Sequence, residues 1–400
     1  VNLKSSMSYE GYTAYSYLRA GEDYQDFERV AEIARVPVYH DESLSDLQRQ
    51  RAKQLIDQSI VISLHDHVQV SPADISQQPG YLRQGRGFTG YEGLARSGMT
   101  AVFDNGVFSA PFSSANGWRL DDTVHDLGMR LCDIDHQNFI IPGKTTEDIR
   151  RAHANGQLAM FSGLEAATVI GNELDRLEVL FGLGVRMMGV AYSNSNQLGC
   201  GLGERLDSGL TMFGEAAIRR MNRVGMVIDV SHSGDRTALE TINLSSAPVV
   251  MSHCGSREVW PSARMKPDAI IQECASRGGM IGIEAAPHST PSTQHPRHCL
   301  DSAMDHFEHL VDVVGIDHVG FGPDTLFGDH AGFHRRGGSS STSGQLQGDY
   351  PRVDYVDGLE NPGENFWNIA GWLVSHGYSD DEIRKVIGGN VLTVLDAIWA

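Results

Sequence analysis

From residue 60 onward the chain repeats one pattern eight times: a short apolar run, a polar or glycine-rich turn, then an amphipathic stretch. The runs are residues 60–64, 100–103, 158–161, 186–191, 226–230, 249–252, 280–283 and 318–321. Short β-rich runs alternating with helical segments build parallel βαβ units, and eight such units close into a (β/α)8 TIM barrel of the α/β class. An open doubly wound sheet would carry fewer strands and a glycine-rich phosphate turn after the first. Here the first run leads into His65-Asp66-His67 instead. The 400 residues could hold two average domains, yet one barrel with extensions takes roughly 250 to more than 400 residues. Residues 43–400 are therefore read as one barrel domain and residues 1–42 as an N-terminal extension.

Within 43–59, Leu44, Leu47, Ala52, Leu55 and Ile56 recur at about helical spacing, which predicts a helix leading into the first strand. Residues 329–350 are rich in Gly, Ser and His and lack periodicity. They read as a long loop after the eighth strand, either a mobile surface loop or a lid over the barrel mouth. From 364 to 399 there are two helical patterns, one through Phe366, Ile369 and Leu373 and one through Ile383, Val386 and Ile387. Gly388-Gly389-Asn390 breaks the second, so a C-terminal helical cap is expected to follow the barrel.

Charge and cysteine usage narrow the partners. With 51 acidic against 32 basic residues, a formal charge of −19 and no long basic run, the chain is not expected to have nucleic acid as a partner. No stretch approaches the roughly 20 apolar residues of a membrane helix, and residues 1–10 lack an apolar signal core. The chain is expected to be soluble, with no membrane partner. Cys132, Cys200, Cys254, Cys274 and Cys299 form no CxxC pair and are odd in number, which argues against a disulfide framework and for the cytoplasm.

In a barrel the reactive side chains lie at the C-terminal ends of the strands. His65 and His67, two apart, point to one side of the first strand. Glu165 follows the third run, His232 the fifth, His253 the sixth and Asp324 the eighth. A lone histidine at a strand end is usually a hydrogen-bonded structural group. Four of them with two carboxylates, all at the same end of different strands, mark a metal centre. Imidazole suits zinc and other transition metals, and a carboxylate can bridge two ions, an arrangement that generates hydroxide near neutral pH and polarises a carbonyl. Of the remaining histidines, His288 could line the pocket. His295, His298, His306 and His309 sit in polar, surface-like sequence, and His330 and His334 fall in the loop; none is needed to complete the site.

At these residues the chain resembles the membrane (renal) dipeptidase family of zinc peptidases, within the amidohydrolase-like superfamily. Asp229-Val230-Ser231-His232 matches the family's strand-five motif, and Ser252-His253 follows at a similar spacing. Arg264, in Arg264-Met265-Lys266-Pro267-Asp268, falls where the family has an arginine before a Pro-Asp pair. Gly377-Tyr378-Ser379 through Lys385 to Gly388-Gly389-Asn390 looks like its C-terminal signature. The similarity runs from about residue 45 to residue 395.

The resemblance implies two divalent metal ions per chain, with zinc the expected ion. His65 and His67 would hold one, His232 and His253 the other, and Glu165 would bridge them. Asp324 would handle the proton of the bridging water, and Arg264 would bind the substrate's terminal carboxylate. It further implies hydrolysis of the amide bond of a dipeptide or N-acyl amino acid through a metal-bridging hydroxide, and a homo-oligomer. Two residues depart from the family pattern. His67 stands where the family has Asp, which leaves the site about one unit more positive and should make bound water more acidic while holding the first metal less firmly. Tyr192 stands where the family places a histidine near the scissile carbonyl; its phenol can donate a hydrogen bond to a developing oxyanion. These departures open an alternative, a specialised amidohydrolase acting on a non-peptide amide, lactam or ester.

Overall fold

In the computed structural model, which describes residues 7–32, 36–105, 118–336 and 351–400, all eight apolar runs contribute strands. The strands are β1 (Ile62–Val70), β2 (Ala101–Asp104), β3 (Ile140–Pro142), β4 (Leu158–Leu164), β5 (Val185–Gly189), β6 (Val227–Asp229), β7 (Val250–Cys254), β8 (Met280–Ile283), β9 (Val319–Phe321) and β10 (Leu326–Phe327). They pair in the order β10-β1-β2-β4-β5-β6-β7-β8-β9, with neighbours parallel. β9 and β10 are two halves of the eighth strand, separated by Gly322-Pro323-Asp324-Thr325. The first half pairs with β8 and the second with β1, so this kink closes the ring into a (β/α)8 barrel. At the kink, Gly322 N–H donates to Ile283 O at 3.1 Å and Asp324 N–H to His65 O at 2.9 Å. β3, which has no counterpart in the eightfold repeat, pairs with the start of β4, below the point where β5 joins at Ser162.

Period-two alternation divides the strand residues between two cores. Ile62, Leu64, Ala101, Phe103, Ala159, Phe161, Met187, Val227, Val250 and Met280 pack together inside the ring, with Val391, Val394 and Leu395 of the last helix against them. Val61, Val102, Met160, Met188, Ile228, Met251 and Ile281 belong to the larger outer core, shared with the surrounding helices. Burying one such side chain contributes roughly 1.5–3 kcal/mol, so the C-terminal helix Asn390–Trp399 is a plug of the barrel floor rather than an appendage. Its Trp399 stacks on Phe161, centroids 5.5 Å apart, and Phe161 on Phe103 at 4.8 Å.

The helices begin and end where side-chain chemistry allows. Ser45 and Gln48 form a capping box on Asp46–Gln58, satisfying backbone donors that a helix start leaves unpaired. The outer helix Met212–Val224 is capped by Thr211, buries Gly214, Ala217, Ile218 and Met221 at three- and four-residue spacing, and stops at Gly225 with φ 84°. Among the described residues of the N-terminal extension, Tyr12 Oη and Tyr15 N–H both donate to Asp133 Oδ1 at 2.7 Å, which ties this segment to the helix Leu120–Ile134.

Several features differ from the sequence reading. β1 does not close at the two histidines but runs on past them to Val70. Gly388-Gly389-Asn390 does break the second helical pattern: Gly388 leaves helical geometry at φ 172° and ψ −27°, and the chain kinks there between the helix that starts at Asp380 and the last helix Asn390–Trp399. Gly388 is required there because a Cβ would overlap the Ile60 carbonyl oxygen. The stretch read as a loop from 329 begins with a helix, His330–Arg336, whose first turn is fixed by Gly332 N–H donating to Asp329 Oδ1 at 2.7 Å. Residues 337–350, and with them the remainder of the loop-or-lid reading, lie outside the described residues.

His298 and His306 are fully buried, not on the surface. Their rings satisfy backbone groups of the loop after β8 and its neighbour: His298 Nδ1 accepts from His288 N–H and His306 Nδ1 from Ser256 N–H, both at 3.0 Å. All five cysteines are free, and no helix among the described residues is long and apolar enough to cross a membrane.

Candidate metal centre

Residues carried by β1, β4, β6, β7 and the kinked eighth strand converge at one end of the barrel. On β1, alternation sends His65 and His67 one way and Asp66 the other. Asp66 becomes a buried clamp: its Oδ1 accepts from Thr325 N–H at 2.9 Å and Thr325 Oγ1 at 2.7 Å, and its Oδ2 from Ser63 Oγ at 2.6 Å. The clamp fixes the kink and therefore its neighbour Asp324. Asp324 takes a left-handed backbone, φ 56°, an uncommon conformation for a residue with a Cβ. Its Oδ1 lies 3.0 Å from His67 Nε2 and 3.3 Å from His65 Nε2.

A second buried carboxylate organises the other histidines. Asp229 Oδ1 accepts from Ser231 N–H at 3.0 Å, Ser231 Oγ at 2.6 Å and Ser252 N–H at 3.0 Å, and its Oδ2 from Ser252 Oγ at 2.6 Å. The two Ser-His pairs are thereby held side by side, with Ser252 Oγ 2.8 Å from His253 Nδ1. His232 Nε2 and His253 Nε2 approach to 2.8 Å, and lie 3.1 Å and 3.9 Å from Glu165 Oε2.

Every ligand expected from the sequence is therefore brought to one place. Among the described residues, the ligand atoms of His65, His67 and Asp324 lie within 4.8 Å of one another, and so do those of His65, Glu165 and His253. His65 is common to both groups, and Asp324 stands among the atoms that could hold an ion. The donor set suits divalent cations on electrostatic grounds. Burial pushes the Glu165 carboxyl well above the usual carboxylate range. Burial, together with neighbouring cations, drives His232 and His253 well below the usual imidazole range. The neutral imidazoles of His232 and His253, with lone pairs beside a carboxylate that lacks solvent, are the chemistry that a bound cation relieves.

Tyr192 stacks on His232, centroids 4.1 Å apart, which places it beside the centre. Burial raises its phenol well above 10, helped by Glu165 and Asp324, so it stays protonated and able to donate. Arg264 is also adjacent but is 1% exposed. Its Nη1 donates to Ser231 O at 3.2 Å, its Nη2 to His253 O at 2.9 Å, and Nη2 lies 2.6 Å from Glu284 Oε2. The arginine expected to meet a substrate carboxylate is thus already paired with a carboxylate of the protein. Glu284, which follows β8, was not among the sequence candidates. Its position immediately after an apolar run was a signal available in the sequence.

The sequence matches the membrane dipeptidase family, peptidase family M19, over residues 49–334. Among curated proteins, the dipeptidase tcpJ of Claviceps purpurea is 27% identical over 251 residues, 62% of this chain and 53% of that protein. The dipeptidase aclJ of Aspergillus oryzae is 27% identical over 279 residues, 68% of this chain and 60% of that protein. The matched region spans little more than half the length of these relatives. Among solved structures, an amidohydrolase from Pseudomonas aeruginosa superposes with a TM-score of 0.71 at 26% identity, covering 87% of this chain and 99% of that one.

Proposed function

We propose that this chain, which belongs to the membrane dipeptidase family of peptidases, is a metal-dependent hydrolase that cleaves the amide bond of a dipeptide-like or N-acyl amino acid substrate. The observation that carries this reading is the pair of ligand groups sharing His65, with Glu165 on one side and Asp324 on the other. His65 and His67 would hold one divalent ion and His232 and His253 a second, with Glu165 between them; imidazole nitrogens with carboxylate oxygens favour zinc. When bound, the ions would supply Lewis acidity toward the scissile carbonyl and acidify water near neutral pH.

The chain's own residues do the rest. Asp324, aimed by its left-handed backbone and the Asp66 clamp, accepts a proton from the attacking water and returns it to the leaving nitrogen. Tyr192, held protonated, donates a hydrogen bond to the oxyanion that develops at the carbonyl. Arg264 holds the Ser231 and His253 carbonyls, and so the two histidine-bearing turns, in place. The free cysteines support a reducing compartment, the cytoplasm.

The test is an assay of purified, metal-loaded protein against a panel of dipeptides and N-acyl amino acids, paired with Asp324→Asn. Turnover by the variant should fall by roughly 10²-fold or more while metal content holds. Absence of hydrolysis across the panel by metal-loaded parent protein overturns the reading. Loss of metal in Asp324→Asn instead assigns that carboxylate to coordination.

A further inference from the structure

We propose that His330 and His334 form a separate binding site for a divalent transition-metal ion, beside the centre already described. The two histidines are four residues apart on the helix His330–Arg336, a spacing that puts both rings on one face, one turn apart. Their Nε2 atoms converge to 2.9 Å, with ring centroids 4.6 Å apart. His330 is 2% exposed, and the Nδ1 atoms of both rings are buried without a hydrogen-bond partner.

The same chain supplies the comparison that gives this arrangement its meaning. His232 and His253 converge on each other by Nε2 at 2.8 Å, and His232 Nδ1 is likewise buried and unpartnered. Of the two pairs, one belongs to the family's centre and the other to no assigned site, yet they share one signature. A hydrogen bond between two neutral imidazoles explains the distance alone. It leaves a buried N–H at the acceptor's Nδ1 unsatisfied, at a cost of about 1–3 kcal/mol, for no evident structural return on a helix of only seven residues. A cation taken by both lone pairs needs the rings to part slightly, to the spacing set by metal–nitrogen bonds of about 2.0–2.1 Å.

The pair faces the main centre. His330 lies with its ring centroid 6.5 Å from that of His67, and Asp324 acts electrostatically on both His330 and His334. Two imidazoles and a nearby carboxylate select borderline cations such as Zn²⁺, Co²⁺ or Ni²⁺. The open coordination positions would take water or an anionic group of a bound substrate.

The experiment is a Co²⁺ titration of metal-loaded parent and of the double variant His330→Gln/His334→Gln, with bound metal counted after gel filtration and followed by visible absorption. The parent should take up one equivalent more than the variant. This difference does not depend on how many ions the main centre holds or on whether the protein hydrolyses anything. Equal uptake with equal affinity in both proteins overturns the proposal. Should the double variant fail to fold, His334→Cys retains a ligand in place. A sulfur-to-cobalt charge-transfer band, absent from the parent, supports the site, and a spectrum unchanged from the parent overturns it.

Discussion

Arg264 and Glu284 illustrate how much a single partner changes a side chain's chemistry. An arginine beside a metal centre is a natural anchor for a carboxylate, but here its Nη2 lies 2.6 Å from Glu284 and both groups are almost wholly buried. The pair is net neutral, so a substrate carboxylate meets no free charge unless Glu284 is protonated or displaced. Breaking a buried pair by neutralising one member typically costs about 3–5 kcal/mol. Glu284→Gln should therefore lower the melting temperature, and a ligand carrying a carboxylate should restore more of it than the same ligand raises in the parent. Thermal melts of both proteins with and without a dipeptide check this; equal ligand-induced shifts would show that Arg264 does not receive the carboxylate. The residues that converge at the barrel mouth were legible in the sequence because each follows or ends an apolar run. The partners that aim them were not: Asp66 reaches Thr325 only through the closed ring, and Arg264 reaches Glu284 across the β7–β8 pair, contacts that no local pattern announces.

Among the elements, the strands were the most legible, since four or five consecutive apolar residues can be buried on both faces only in a covered sheet. The kink between β9 and β10 was illegible because Gly322-Pro323-Asp324-Thr325 carries no apolar signal and β10 is only two residues long. The helix His330–Arg336 was hidden for a similar reason: its Gly332 lowers helix propensity, and its support comes from Asp329. Gly388 was legible as the break in the second C-terminal pattern, but not that the kink it makes rests against the Ile60 carbonyl at the start of the barrel. Gly388→Ala would drive a methyl into the Ile60 carbonyl and should destabilise by about 1–3 kcal/mol, the ordinary cost of overpacking. Urea titration should show a lower midpoint with an unchanged slope. An unaltered midpoint would mean that the kink yields and that the contact does not constrain it.

For the molecule as a whole, stability should depend on pH through groups that fold into dry surroundings. Burial raises the Glu364 carboxyl from 4.5 to about 7, with the Glu360 backbone N–H opposing the shift. Between those values the folded state holds a proton that the unfolded state has lost, so stability falls as pH rises from 4.5 to 7. Glu364→Gln should flatten that part of the profile, and denaturation curves at pH 4.5, 6 and 7.5 measure it; an unchanged slope assigns the pH dependence elsewhere. The kinked eighth strand has a different kind of consequence, in time rather than space. Asp66 and Thr325 are 259 residues apart, and synthesis proceeds at roughly 5–20 residues per second, so β1 leaves the ribosome on the order of ten seconds to a minute before the segment that pairs with it. Throughout that interval the nascent chain carries an open strand edge, the kind that pairs with neighbouring chains, and lacks Asp324. The strand that completes the ring closes the edge and delivers Asp324 in one step, so a chain still under construction is vulnerable to aggregation and lacks one member of the cluster at the barrel mouth.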